Sequence, residues 1–431
     1  MIKLLYKLKN DPRIRNSLWM LIEKAISLFG LIFIISAVAK YTGPTIYGEI
    51  TLAASIFIVL KTIAQLGMDQ IYFKYASQIK PFTKTFFKNS IIINSIIYIL
   101  ISILTIIIAT HYSTDLGLYF IFFTAIAYYF NTIDLMNAYF EGVLLSKINV
   151  LANTIGLVAS LLFRYIVVHY NLDVLWLGLP IILFTIIPFF IRLAIFKKIH
   201  DRRKINNTFR VKFKYIKYIL LAGIPLTLAI LSATINTQIS SFVIVYLLDS
   251  KSVAFYSIAF VLAGSWCLIS TTIIMSYLTS IYKIPNHETI EYISSSSKLL
   301  TVVVFLSFFP PLILYFFAEY IIIFLYGAEY YQSIAVFKIL LISQFFWVIG
   351  FYYSRLIIKF SGYSFLAYKT LFCTALNVFL SFILIKKYGI IGAAYSALLI
   401  EILSTFFLNY IFKEAKLFKI TLYSIGIRVK E

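Results

Sequence analysis

Residues 174–217 read VLWLGLPIILFTIIPFFIRLAIFKKIHDRRKINNTFRVKFKYIK, an apolar run that gives way at Lys197 to a basic, polar segment. At ~1.5 Å of rise per residue, the apolar part, 174–196, is long enough as a helix to cross a hydrocarbon core of about 30 Å. Its apolar residues are consecutive rather than alternating, which selects a spanning helix over a barrel strand. Runs of the same kind recur at 17–39, 47–68, 86–110, 116–140, 146–168, 217–247, 253–282, 299–318, 332–354, 364–386 and 390–412. The pattern predicts an all-α integral membrane protein of about 12 transmembrane helices. Composition agrees: 61% of the 431 residues are hydrophobic and 13% charged, where a soluble domain carries roughly 25% charged residues.

The charge balance, 38 Lys+Arg against 17 Asp+Glu, in a soluble chain points to nucleic acid. Here its distribution removes that need. Numbering the connections alternately puts 29 of the basic residues on one side and only Lys40, Lys251, Lys386 and Lys387 on the other. This positive-inside bias predicts a multi-pass membrane protein with both termini cytoplasmic, and no nucleic-acid partner. The basic segment falls midway and divides the chain into an N-lobe, 1–196, a cytoplasmic linker, 197–216, and a C-lobe, 217–431, the pattern of a duplicated transporter. The start of the chain lacks the features of a cleaved signal. Met1–Asn10 reads either as a basic amphipathic stretch along the membrane surface or as a solvated tail.

Two cysteines, Cys267 and Cys373, and four separated histidines, His111, His169, His200 and His287, exclude a disulfide framework and a metal-ligand spacing. No G-x-x-x-x-G-K-[ST] phosphate loop occurs, which argues against ATP-driven transport. No cofactor is expected beyond a coupling Na+ or H+.

Eight ionisable residues lie within the predicted spans away from their extreme ends: Glu23, Lys24, Lys61, Asp134, Arg164, Lys338, Lys369 and Glu401. At roughly 2.5–3.5 kcal/mol each at a helix centre, exposing all of them to lipid costs on the order of 20 kcal/mol, so they are expected to face a cavity or one another. Five are cationic, a bias that suits a cavity receiving an anion. Lys24 and Lys61 are candidates for its cytoplasmic end and Arg164, at the end of a stripe with Asn149, Asn153 and Ser160, for its outer end; Lys338 and Lys369 are the candidates in the second half. Pairing with Glu23 or Asp134, or snorkelling to the interface, is the alternative that the sequence leaves open. Gln238, in a stripe with Thr227, Thr234 and Ser241, and Asn377, with Thr370, Thr374 and Ser381, offer hydroxyls and amides to sugars, or else hold helices together. Glu401 is the first candidate for ion coupling, ahead of Asp134 and Glu23.

Four stretches carry a family resemblance: Lys40-Tyr41-Thr42-Gly43-Pro44 with Tyr47-Gly48-Glu49; Gly67-Met68-Asp69-Gln70; Leu325-Tyr326-Gly327-Ala328-Glu329-Tyr330-Tyr331-Gln332-Ser333; and Asn377 leading to Tyr388-Gly389-Ile390-Ile391-Gly392-Ala393-Ala394-Tyr395. In this order they resemble the O-antigen and polysaccharide flippases, the Wzx family of the multidrug/oligosaccharidyl-lipid/polysaccharide (MOP) exporter superfamily. The resemblance implies two six-helix lobes around a central cavity, and alternating access driven by an ion gradient or the membrane potential. It implies a substrate that is an undecaprenyl-pyrophosphate-linked oligosaccharide of lipopolysaccharide biosynthesis. Its implied partners are membrane lipid, a polysaccharide polymerase and a chain-length regulator, and no enzyme activity is expected. Many relatives carry an acidic residue in the seventh helix where this chain has Asn236, Thr237 and Gln238. An O-antigen polymerase or ligase is the rival enzyme, disfavoured by the lack of a long external loop; the rival transporters are a drug/cation antiporter and a lipid II flippase, the latter disfavoured because such flippases typically have two further helices.

Overall fold

The computed structural model describes residues 12–77, 83–201, 213–282, 284, 290–412 and 416–424; within them, the side chains of residues 12–29, 31, 83–86, 200–201, 213–219, 222, 225, 229, 279–280, 290 and 416 lie outside the description. The chain folds as α1 (Pro12–Gln65), α2 (Met68–Ser77), α3 (Thr83–Tyr112), α4 (Asp115–Ile133), α5 (Met136–Gly142), α6 (Ser146–His169), α7 (Gly178–Asp201), α8 (Phe213–Leu247), α9 (Ser250–Gly264), α10 (Cys267–Tyr282), α11 (Ile290–Phe316), α12 (Ala318–Tyr326), α13 (Ser333–Lys359), α14 (Tyr363–Tyr388), α15 (Ile390–Ile402), α16 (Asn409–Ile411) and α17 (Lys416–Ser424). No strand occurs among the described residues. Eleven of their helical stretches are long and apolar enough to span a membrane. Leucines and isoleucines exposed along α3, among them Leu100, Ile103, Leu104 and Ile107, give it a lipid-compatible face.

Twelve spans were expected, and the difference lies at Gly43. Two expected helices, 17–39 and 47–68, run together as α1 and meet at that residue, whose φ of 70° and ψ of 170° no helix contains. Glycine reaches positive φ without a Cβ clash, and Pro44 behind it opens the next helix with no N–H to leave unsatisfied. Glu49, one turn on, is buried and accepts a 2.6 Å hydrogen bond from Thr114 Oγ1, which in turn caps α4 by accepting from Gly117 N at 3.0 Å. A second positive-φ pair, Leu66 (49°) and Gly67 (60°), ends α1 and starts α2.

Two spanning stretches are discontinuous. Asp115–Gly142 breaks at Asp134 (φ −80°, ψ 63°) between α4 and α5, and Ser250–Leu278 breaks at Ser265 and Trp266 between α9 and α10. The last departs from α geometry as a π-helical stretch, Leu403–Leu408, directly after α15. Three short helices were not anticipated: α2, α12 and α17. Each is too short to span, so no long apolar run marks it in the sequence.

The chain forms two compact units, Met1–Thr234 and Ile235–Glu431. The start of α8 belongs with the first, where a Cβ on Gly223 would lie 2.6 Å from Leu66 O and one on Gly67 would lie 2.8 Å from Leu226 Cβ. Aromatic packing holds this unit: ring centroids are 5.5 Å apart for Tyr72–Phe87, 4.9 Å for Phe87–Phe196 and 5.1 Å for Tyr139–Phe196. α6 and α7 touch backbone to ring, since a Cβ on Gly156 would stand 2.6 Å from the Pro188 ring, and Ser160 donates to Pro180 O at 2.8 Å. In the second unit, Tyr352 donates to Ser296 O at 2.7 Å and Ser297 to Ile420 O at 3.0 Å, which fastens α17 to α11.

Candidate substrate cavity

The α4–α5 break opens onto a cavity of about 770 Å³ in the first unit. Asn131, Asp134, Asn137 and Glu141, at steps of three and four, present a polar face from one interrupted helix. Lys61, Gln65, Asp69 and Gln70 come from the α1–α2 corner, Asn153 from α6, and Thr185 and Arg192 from α7; Phe73 and Phe184 add aromatic faces. Arg192 organises the wall: its Nε donates to Asp134 Oδ2 at 2.8 Å, its Nη2 makes a shorter contact to the same oxygen, and its Nη1 donates to Asn153 Oδ1 at 2.7 Å. Both charges are buried, Arg192 at 6% exposure and Asp134 at 8%, and Asp134 Oδ1 has no hydrogen-bond partner among the described residues. Asn137 donates to Glu141 Oε1 at 3.1 Å. Lys61 forms no ion pair among the described residues and lies within electrostatic reach of Asp69 and Asp134.

A smaller chamber of about 240 Å³ shares Asn131, Phe184 and Thr185 with the first. Its remaining wall is mainly apolar, with Ile35, Val38, Ile50, Leu177 and Ile181, and Arg164 enters it as the single charged residue of the lining. Tyr47 lies within electrostatic reach of that guanidinium.

The second unit holds a cavity of about 320 Å³. Asn236, Thr237 and Ser240 of α8 line it with Thr271, Gln344, Asn377 and Glu401. Asn377 Nδ2 donates to Asn236 Oδ1 at 2.9 Å, Ser381 donates to Asn377 Oδ1 at 3.2 Å, and the Ser381 and Ser396 hydroxyls are 2.9 Å apart. Glu401 precedes the π-helical stretch, whose Thr405 donates to Phe346 O at 3.1 Å.

A comparison with family models matches residues 37–335 to the family described as "Polysaccharide biosynthesis protein". The chain belongs to that family. Among solved structures, this polysaccharide biosynthesis family member is similar to a lipid II flippase, MurJ, in an inward closed conformation, with a TM-score of 0.73 and 18% identity over 96% of this chain and 91% of that one. It is similar to a multidrug resistance MATE family transporter of the MOP superfamily in its outward-facing conformation, with a TM-score of 0.61 and 14% identity over 96% and 97% of the two chains. A MOP superfamily transporter from Pyrococcus furiosus aligns with a TM-score of 0.54 and 15% identity over 96% and 97%. At these identities the likeness establishes the fold, that of the MOP transporters. A comparison with curated proteins finds no match.

For this family member, the structure sorts the expected site residues unevenly. Lys61 and Asp134 share the large chamber, Arg164 occupies its smaller neighbour, and Asn377 and Glu401 share the cavity of the second unit. Asp134, expected as an ion-coupling carboxylate, is the partner of Arg192. Lys369 donates to Asn409 Oδ1 at 2.7 Å, within electrostatic reach of Glu401. Lys338 points over the Tyr315 ring at 5.1 Å, and neither it nor Gln238 lines any of the three cavities; on α8 the lining face is that of Asn236 and Ser240 instead. The side chains of Glu23 and Lys24 lie outside the described residues. The expected cation bias does not hold in the large chamber, where Lys61 and Arg192 face Asp69, Asp134 and Glu141. Arg192 falls at the edge of a basic segment, and in the sequence it reads there as an interfacial charge. The 131, 134, 137 and 141 periodicity was the available signal.

Proposed function

We propose that this protein is a flippase that moves undecaprenyl-pyrophosphate-linked oligosaccharide repeat units from the cytoplasmic to the periplasmic face of a bacterial inner membrane. The lobes 1–196 and 217–431, joined by the basic segment 197–216, alternate access between the two faces, and both termini are cytoplasmic. The observation that carries this reading is the amide-rich chamber of the first unit. Gln65, Gln70, Asn131, Asn137 and Asn153 supply paired donors and acceptors suited to sugar hydroxyls, and Phe73 and Phe184 supply ring faces. A volume of about 770 Å³ falls in the range of roughly 300–1,000 Å³ typical of small-ligand sites. Family membership and a fold shared with a lipid II flippase support a polyprenyl-linked cargo. Glu401, a carboxylate beside Gln344 and Asn377, is the proposed ion-coupling group for Na+ or H+, with the membrane potential as driving force.

Depletion of the protein in its host, followed by analysis of lipid-linked oligosaccharides, tests this. Accumulation of repeat units on the cytoplasmic face is the expected result; unpolymerised units delivered outside refute it in favour of a polymerase. In proteoliposomes, Asn137→Leu and Asn153→Leu are expected to lower flipping of the lipid-linked sugar. The carboxylates of the large chamber support one second reading, a cation antiporter. It predicts proton-driven efflux of a cationic dye from cells that express the protein.

A further inference from the structure

Lys61 and Arg164, expected to line one passage, stand in chemically different rooms. In the large chamber, Arg192 is committed to Asp134 and Asn153, and three carboxylates surround Lys61 and Arg192. In the small chamber there is no carboxylate in the lining, and Arg164 makes neither an ion pair nor a hydrogen bond among the described residues. Two neutral groups in that wall are also unengaged among the described residues. The Asn131 side chain has no hydrogen bond, and Thr124, 1% exposed, has a hydroxyl without a partner. Arg164 shares the lining with Ile35, Val38, Ile50, Leu177 and Ile181 and has no counter-charge there, so the chamber is complementary to an anion. Its walls add a second requirement, because an anion carrying its full hydration shell gains nothing from aliphatic surface.

We propose that the small chamber is a subsite for the phosphate end of an amphiphilic phosphate ester. The phosphate oxygens accept from Arg164, with Asn131 and Thr124 as further donors, and the first carbons of the esterified chain lie against the five aliphatic side chains. The volume, about 240 Å³, is below the roughly 300–1,000 Å³ of drug-sized sites and excludes a multi-sugar unit while accommodating such a junction. Asn131, Phe184 and Thr185, common to both chambers, then place the sugar side in the amide-rich room and the lipid side at Arg164. That assignment of the natural ligand rests on the flippase reading; the binding chemistry does not.

The test is equilibrium binding of radiolabelled geranyl phosphate to the full chain in phosphatidylcholine nanodiscs, with empty nanodiscs subtracted. Hexyl phosphate is expected to compete, while inorganic phosphate and geraniol compete at least about tenfold more weakly. Arg164→Gln is expected to weaken binding about tenfold or more, the size of a lost charge-assisted hydrogen bond, and Arg164→Lys to retain part of it. Thermal unfolding of each variant establishes that it is folded. Unchanged binding in Arg164→Gln, loss of binding in Lys61→Ala alone, or inorganic phosphate bound as tightly as the ester each overturns the subsite. Competition by undecaprenyl phosphate supplied in the bilayer identifies a lipid source; competition by hexyl phosphate alone identifies a soluble ester. If ester binding follows Arg164 but the wild-type protein flips no lipid-linked sugar, the subsite stands and the flippase reading fails. Flipping that persists while ester binding is absent does the reverse.

Discussion

The Arg192–Asp134 pair can be dissected by a mutant cycle whose outcome the geometry fixes in advance. Both side chains are buried, and Asp134 Oδ1 already lacks a hydrogen-bond partner among the described residues, so Arg192→Met strands a carboxylate that has no other cation paired to it there. Breaking a buried pair from one side costs about 3–5 kcal/mol. The lower end, ~3 kcal/mol, is expected here because both residues border a polar chamber large enough to admit water. Removing both charges together, in Asp134→Leu with Arg192→Met, leaves no orphan, and the double variant is expected to return to within ~1 kcal/mol of the parent. Asp134→Leu strands the guanidinium and is expected to cost ~3 kcal/mol as well, so the coupling energy comes to roughly 5 kcal/mol, above the ~0.5–3 kcal/mol usual for contacting residues. Denaturant unfolding of the purified protein in micelles, followed by far-UV circular dichroism, measures all four corners. If Arg192→Met loses less than ~1 kcal/mol, or the double variant loses the sum of the singles, the pair is not the keystone of this wall.

Further expectations follow from local geometry. Gly43→Ala forces a Cβ into a backbone with φ of 70° and is expected to cost about 1–2 kcal/mol in the same unfolding assay. Thr114→Val removes both the α4 cap and the bond to Glu49, with an expected loss of about 1–2 kcal/mol, while Thr114→Ser retains most of the stability. Gly156→Val drives methyl groups into the Pro188 ring, and a loss of about 1–3 kcal/mol or a failure to express is expected. Orientation is checked with single cysteines: one at Asn206 is expected to react with a membrane-impermeant thiol reagent only from the cytoplasmic side, and one at Ser252 only from outside.

The glycines of the family-like words were legible for good reason. Gly43, Gly67, Gly327 and Gly389 all adopt positive φ, so the words mark corners where the chain must turn between spans. Glu49, read only as part of such a word, proves to be the acceptor that secures the start of α4. The site was less legible. Helical periodicity identified the stripe ending in Arg164 and the one through Asn377, yet the same logic on α8 selected Gln238 when the lining residues are Asn236, Thr237 and Ser240. A helix that is apolar nearly all round carries little information about which side meets a neighbour. Lys338 shows a second limit, since a long side chain rooted in a span can lie over an aromatic ring rather than reach a cavity.

The amino-acid order alone determined that this chain is a stack of spanning helices, because hydrocarbon demands that every backbone group be satisfied within a segment of fixed minimum length. It also marked the turns, through glycines and prolines whose backbone preferences are local. Only the tertiary structure decided that Asp134 belongs to Arg192, that Lys61 sits among carboxylates, and that Arg164 stands alone among charges in an apolar chamber. Those outcomes depend on which helix faces meet, a long-range property that the period of a single helix leaves open.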